Sequence, residues 1–232
     1  MLFTRRQIIE AGSASGVLAL VSSSPLLAQV INPTPVRPAS APVPARPRVM
    51  VDPTVDPRIV QRARAAFDRH RSQVANGDVV GIADFTRASA DPRFYLLDTF
   101  TGRVSRHLVA HGRGSDPAHT GFLQHFSNRM GSEASSSGAY VTSAYYQGHY
   151  GRSMRVRGLD PSNNNAEARA IVVHTAWYAE PNVVAETGRL GRSEGCFALP
   201  HSSLEEVLAR LGSGAYRLPA PIFEPVRLGS QL

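Results

Sequence analysis

The 232-residue chain contains no lysine, so all 25 basic residues are arginine, set against 18 acidic ones for a formal charge of +7. Arginine grips planar carboxylates through a bidentate fork, which suits acidic ligands and leaves a polyanion to be considered. A nucleic-acid binder gathers its basic residues on a helix or between stacking aromatics. Here the arginines stand singly or in twos, so charge names no nucleic-acid partner, and genome composition is the simpler source of the bias. A single cysteine, Cys196, excludes an intrachain disulfide and raises the question of what the lone thiol does. No repeat recurs along the chain. No apolar run reaches the roughly 20 residues of a membrane helix, because Ser22 to Pro25 interrupts the one candidate.

That candidate is instead read as an address. Arg5 and Arg6 precede the apolar Val17 to Val21 and Leu26 to Leu27, with Ala28 at a small-residue cleavage position, the layout of a signal peptide over 1–28. Thr4-Arg5-Arg6-Gln7-Ile8-Ile9 is similar to a twin-arginine export signal. Export to the periplasm follows as an expectation, and without the segment 23 basic and 17 acidic residues remain. Eight of the 17 prolines then fall between Pro33 and Pro57, so 29–56 reads as an extended linker, leaving 57–232 for one folded domain.

Ile59, Val60, Ala63, Ala66, Phe67 and Val74 recur at helical spacing behind Asp56-Pro57, predicting a leading helix over 57–74. After Asn76-Gly77 the pattern changes to short runs of β-formers: 79–85, 93–98, 104–111, 139–146, 154–159 and 170–174. Gly112 to Ser115 and Ser132 to Gly138 are polar, flexible loops between them. A late helix is predicted over 202–211, closed by Gly212. The fold class is mainly β with peripheral helices.

Chemistry concentrates near the end. The apolar run from Ala170 to Val173 ends in His174, and Gly191-Arg192-Ser193-Glu194-Gly195-Cys196 follows about twenty residues on. A cysteine nucleophile attacks as thiolate, and needs a histidine to take its proton and a small neighbour to permit the turn. Gly195 supplies that freedom, and the Gly195 and Cys196 amides could both point at a developing oxyanion. The competing reading is a buried inert thiol with a satisfied core histidine. Papain-like proteases carry cysteine before histidine, the reverse of the order here.

His174, a variable loop and then Ser-x-Gly-Cys resembles the L,D-transpeptidase catalytic domain, the YkuD-like family, in its branch with a GRSxGC motif. Similar blocks run in order through Ala110 to Ser115, Phe126 to Asn128, Ser135 to Tyr140, Tyr145 to Gly148, Gly151 to Val156, Arg169 to His174 and Gly188 to Leu199. The resemblance implies a β-sandwich or barrel-like catalytic domain acting on peptidoglycan stem peptides, with Cys196 as nucleophile, His174 as base and Ser193 as the motif serine. It implies no cofactor and no metal. The family often fixes its histidine through a backbone carbonyl, which Thr175 or Ala176 could provide. Two positions depart from the pattern: Glu194 stands where the better-known motif has histidine, and Phe197 where close relatives have proline. A carboxylate beside a thiolate raises the thiol pKa unless Arg192 neutralises it or it points to solvent.

The same reading leaves alternatives open: water could resolve the acyl-enzyme, giving an L,D-carboxypeptidase or hydrolase, or the domain could be an inactive wall-binding module. The oligomeric state has no signal in the sequence. For substrate binding the candidates are Arg192 and Arg155 as carboxylate grips, Tyr145 or Tyr146 as a peptide-binding wall, and His111 as a pocket or supporting residue. His107 and His111, four apart, lack the third ligand of a metalloprotease pattern.

Overall fold

The computed structural model describes residues 52–53, 55–74 and 76–212, together with the backbone of 221–223. The signal-peptide reading of 1–28 and most of the linker 29–56 lie outside the described residues. The first helix, α1 (Pro57–Arg69), begins where the sequence places it: Asp56 accepts the Arg58 backbone N–H at 2.9 Å, and Pro57 occupies the first turn, where no N–H is needed. It stops short of Val74 because His70 leaves helical geometry and a 3-10 turn, Arg71–Gln73, follows.

Eight strands follow: β1 (Val79–Ala83), β2 (Phe94–Asp98), β3 (Val104–His107), β4 (Ala139–Gly148), β5 (Gly151–Gly158), β6 (Val172–Thr175), β7 (Phe197–Leu199) and β8 (Pro221–Phe223). They form one sheet in the order β3-β2-β1-β8-β4-β5-β6-β7. β3 and β7 are its two ends, yet Ala110, just past β3, donates its N–H to Ala198 of β7 at 2.9 Å. The sheet therefore curls until its ends meet, which is the barrel-like form expected. The expected strand 104–111 is thus two pieces, because the chain leaves β2 at His107 and bridges to β7 three residues later.

Alternation along the strands sorts the apolar residues to two faces. Phe94 and Leu96 of β2 point into the main core with Tyr140, Met154, Val156, Val173, Phe197 and Leu199, whereas Tyr95 and Leu97 point outward with Val80 and Ile82. Ile59, Val60 and Ala63 of α1 cover that outward patch, and burial of the two larger side chains stabilises the docking by about 2 kcal/mol each. The inner face is closed by α3 (His201–Leu211), whose Leu204, Val207, Leu208 and Leu211 repeat at helical spacing. Its final carbonyls need partners, and the sheet supplies them: Thr142 Oγ1 donates to Leu211 O at 2.8 Å and Tyr145 OH to Leu208 O at 2.6 Å.

That second bond corrects one expectation. An irregularity in the β4–β5 register between Thr142 and Tyr145 turns Tyr145 onto Met154 and the core, so it serves α3 rather than a peptide-binding wall. Among the described residues no helix is long and apolar enough to cross a membrane.

Candidate active site

β6 and β7 run parallel with His174 opposite Ala198. Val173 and Phe197 face the core, so His174, Ala198 and, two residues earlier, Cys196 fall on the outer face of the same strand pair. The thiol sits at the mouth of this pair: its Sγ lies 3.7 Å from Ala170 O and interacts with the Val172 backbone N–H.

The imidazole is fixed on two sides. His174 Nδ1 lies 2.7 Å from Thr175 O, which makes Nδ1 the protonated nitrogen and leaves the Nε2 lone pair free for a proton. Of the two carbonyls the sequence leaves open, Thr175 is the one used. Tyr150 covers the ring, centroid to centroid 4.7 Å, and is itself held by Thr175 Oγ1 donating to Tyr150 O at 3.1 Å. Burial pushes the His174 pKa down, against a smaller upward pull from the Thr175 carbonyl. Burial likewise pushes the Cys196 thiol up to about 11, with Val172 N–H and Arg169 opposing and Glu194 adding to the rise. At neutral pH the resting pair is therefore neutral thiol and neutral imidazole.

Ser193 staples the turn before the thiol. Its Oγ donates to Cys196 O at 2.7 Å and accepts the Gly195 N–H at 3.1 Å. This corrects the expectation that the Gly195 and Cys196 amides act as an oxyanion pair, because the Gly195 amide is already committed within the turn. Gly195 itself has φ +110°, and a Cβ there would stand 2.7 Å from Ala134 O and 2.9 Å from Ile171 Cδ1. Only glycine fits that turn without strain.

The Ser193 backbone is clamped by the loop after β3: Ser193 N–H donates to His111 O at 2.9 Å and Arg113 N–H to Ser193 O at 2.7 Å. His111 is buried beneath that loop, so it supports the site and does not line a pocket. Its Nδ1 receives Arg93 NH2 at 2.7 Å and its Nε2 faces Asp116 Oδ2 at 3.4 Å. Burial, then the Arg93 charge, push the His111 pKa down to about 3, so a neutral ring sits between a buried cation and a carboxylate. Burial works to raise the Asp116 pKa, yet the Thr120 and Gly121 backbone N–H groups prevail and hold it below the ordinary range. Arg93, fully buried, also donates to Val109 O and Arg87 O.

The remaining candidates divide. Arg192 NH1 donates to Asp116 O and Pro117 O, so it anchors the loop. It does not reach Glu194, which is 73% exposed and pairs instead with Arg113 at 3.3 Å; Arg113 also pairs with Glu133. Arg155 and Tyr146 lie on the outer face, guanidinium over ring at 4.5 Å, with Arg155 opposite Val172 of β6. They share a face with Cys196, whereas Tyr145 does not. His107 Nε2 stands 3.7 Å from Glu206, away from His111, and no group of three metal-binding side chains occurs among the described residues.

The structure also brings in residues that the motif reading did not single out. Arg169 reaches Ala134 O, Ser127 O and Ser136 Oγ beside the thiol. Tyr178 is half-buried near Cys196, its pKa raised first by that burial. Tyr150, Trp177 and His149 border a groove of about 550 Å³ next to Thr175. Arg169 stands in a block already tied to the family, but nothing in its sequence neighbours signals what it touches.

A family model for the L,D-transpeptidase catalytic domain matches residues 51–217. The chain belongs to that family. Solved structures of L,D-transpeptidases are similar to it at low identity: LdtMt1 in complex with imipenem, 14% identical with a TM-score of 0.36 over 64% of this chain and 59% of that one, and an L,D-transpeptidase from Mycobacterium tuberculosis, 14% identical with a TM-score of 0.35 over 64% and 58%. The chain thus spans about three fifths of the length of those L,D-transpeptidases. No curated protein matches it.

Proposed function

We propose that this L,D-transpeptidase family member acts on peptidoglycan stem peptides, with Cys196 Sγ as the attacking atom and His174 Nε2 as the base. One observation carries the reading: the Thr175 carbonyl fixes Nδ1 at 2.7 Å, leaving a basic nitrogen on the face that holds the thiol.

Because the resting pair is neutral, the thiol proton passes to Nε2 as Sγ attacks the carbonyl carbon of the L,D peptide bond after diaminopimelate. Negative charge moves to the carbonyl oxygen. The Cys196 amide is the donor left to meet it, the Gly195 amide being held by Ser193 Oγ. Collapse breaks the peptide bond, the leaving amine takes the proton from Nε2, and a thioester remains. The amine of a second stem peptide then attacks the thioester, gives its proton to Nε2 and restores the thiol, closing a cross-link. Arg155 beside Tyr146 provides a guanidinium for a substrate carboxylate on the same face. The twin-arginine-like segment at Arg5 and Arg6 supports export, and the proposed reaction is read as periplasmic.

Profiling muropeptides from walls made with and without the protein tests this directly. New cross-links that vanish in Cys196→Ala are the expected result. Shortened stems without cross-links would instead assign the second step to water, and an unchanged profile with no carbapenem mass adduct on Cys196 would make the chain a non-catalytic module.

A further inference from the structure

Arg169 is a half-buried cation with no carboxylate for a partner among the described residues. Its guanidinium donates to Ser127 O at 2.8 Å, to Ser136 Oγ and to Ala134 O, all neutral acceptors. The acidic groups whose charge acts on it are Tyr140 and Cys196. Its NH2 also lies 3.1 Å from the point where a Gly195 Cβ would stand, so the charge is held against the residue preceding the thiol. Partial burial of a guanidinium without a counter-ion costs free energy, and such a charge favours any anion formed beside it.

We propose that Arg169 is a positioning residue that stabilises the anion formed on Cys196 during attack, while the same guanidinium pins the 127–136 segment against Gly195. This rests on Cys196 being the attacking atom. Other charged or titratable groups around the sulfur do not replace it. Glu194 opposes an anion, His174 takes the thiol proton, and Tyr178 is a half-buried neutral phenol. Arg113 is engaged by Glu133 and Glu194, and Arg192 by the Asp116 and Pro117 carbonyls.

Cys196 is the only cysteine, so iodoacetamide labelling followed by intact mass reads this one sulfur. Labelling rate against pH is measured on wild type, Arg169→Gln, Arg169→Lys and Ser136→Ala, with thermal unfolding to confirm folding. In Arg169→Gln the midpoint is expected to rise by about one pH unit. Arg169→Lys restores most of that shift, and Ser136→Ala, which removes one loop bond and keeps the charge, leaves the midpoint in place. Should the Gln variant not fold, Arg169→Met gives a second neutral side chain of similar length. A folded neutral variant with an unmoved midpoint, or a Lys variant displaced as far as Gln, overturns the proposal. The titration needs no wall substrate. The expected shift in Arg169→Gln, together with a wild type that makes no cross-link, would therefore sink the transpeptidase reading alone.

Discussion

Gly195→Ala is the sharpest probe of the turn that presents the thiol. The backbone there has φ +110°, a region that costs a residue with a Cβ about 1–3 kcal/mol. The new methyl would also meet Ala134 O at 2.7 Å, Ile171 Cδ1 at 2.9 Å and Arg169 NH2 at 3.1 Å. Two of those neighbours are hard to displace: one is backbone, and the Ile171 side chain is buried in the main core. Overpacking of this kind costs about 1–3 kcal/mol, so the total is about 2–6 kcal/mol. Against a typical domain stability of about 5–15 kcal/mol the variant should still fold, with its melting temperature lowered by roughly 4–24 °C. The chain can relieve the clash by moving Ala134 outward, which breaks the Arg169–Ala134 bond and loosens the segment over the thiol. Thermal and urea unfolding measure the first effect, and the rate of carbapenem adduct formation on Cys196 the second, expected to fall at least tenfold. A variant within about 0.5 kcal/mol of wild type that acylates at the wild-type rate would refute the reasoning, because it would mean that the turn has slack which these distances deny.

Further expectations concern charge and burial. The Cys196 pKa, raised to about 11 from an ordinary 9.0, lets the unfolded chain ionise first. The associated stability is therefore complete below about pH 9 and lost as pH climbs through 11; urea midpoints of wild type should fall across that window, and those of Cys196→Ser should fall less. His111, pushed down to about 3, has the opposite sense. The unfolded chain takes up its proton first as pH drops below about 6.5, so stability declines towards pH 3, and His111→Gln should flatten that limb of a melting-temperature profile. Glu194→Gln removes a charge that raises the thiol pKa, but its 73% exposure limits the gain, and labelling at pH 8 should quicken by about two- to threefold. Arg93→Met strands Val109 O, Arg87 O and His111 Nδ1, at a cost of about 3 kcal/mol or roughly 6–12 °C in melting temperature.

The sequence made the periodic elements plain and the short ones obscure. α1 and α3 announce themselves through caps and through apolar stripes such as Leu204, Val207, Leu208 and Leu211. β7, only Phe197–Leu199, is too short to alternate visibly, and its place in the sheet comes from pairing with β6. α2 (Pro181–Thr187) has its start at Pro181 and its left-handed close at Gly188, but buries no residue, so no apolar stripe marks it. β8 depends on non-local pairing with β1 and β4. At the site, residue types and order pointed to Cys196 and His174, whereas the bond that orients the ring involves a main-chain carbonyl, invisible to composition. The inward face of Tyr145 is hidden for a related reason: an irregular register exchanges the faces of a strand, and no residue type signals it.

A raised thiol pKa looks at first like a defect in a cysteine nucleophile. It is the consequence of holding the sulfur at the end of a parallel strand pair, where burial penalises the anion more than Val172 N–H and Arg169 favour it. In the acyl transfer proposed for this site the raised pKa is tolerable, because the proton leaves only as the new bond forms, with His174 Nε2 as its proposed acceptor. The arrangement has a further effect on the sulfur's reactivity. Thiolates, not thiols, are oxidised and captured by passing disulfides, so a lone cysteine that rests protonated survives where a permanently ionised one would be consumed. In the proposed reaction, the burial that raises the pKa therefore also protects the sulfur between turnovers, with charge released only as a substrate carbonyl receives it.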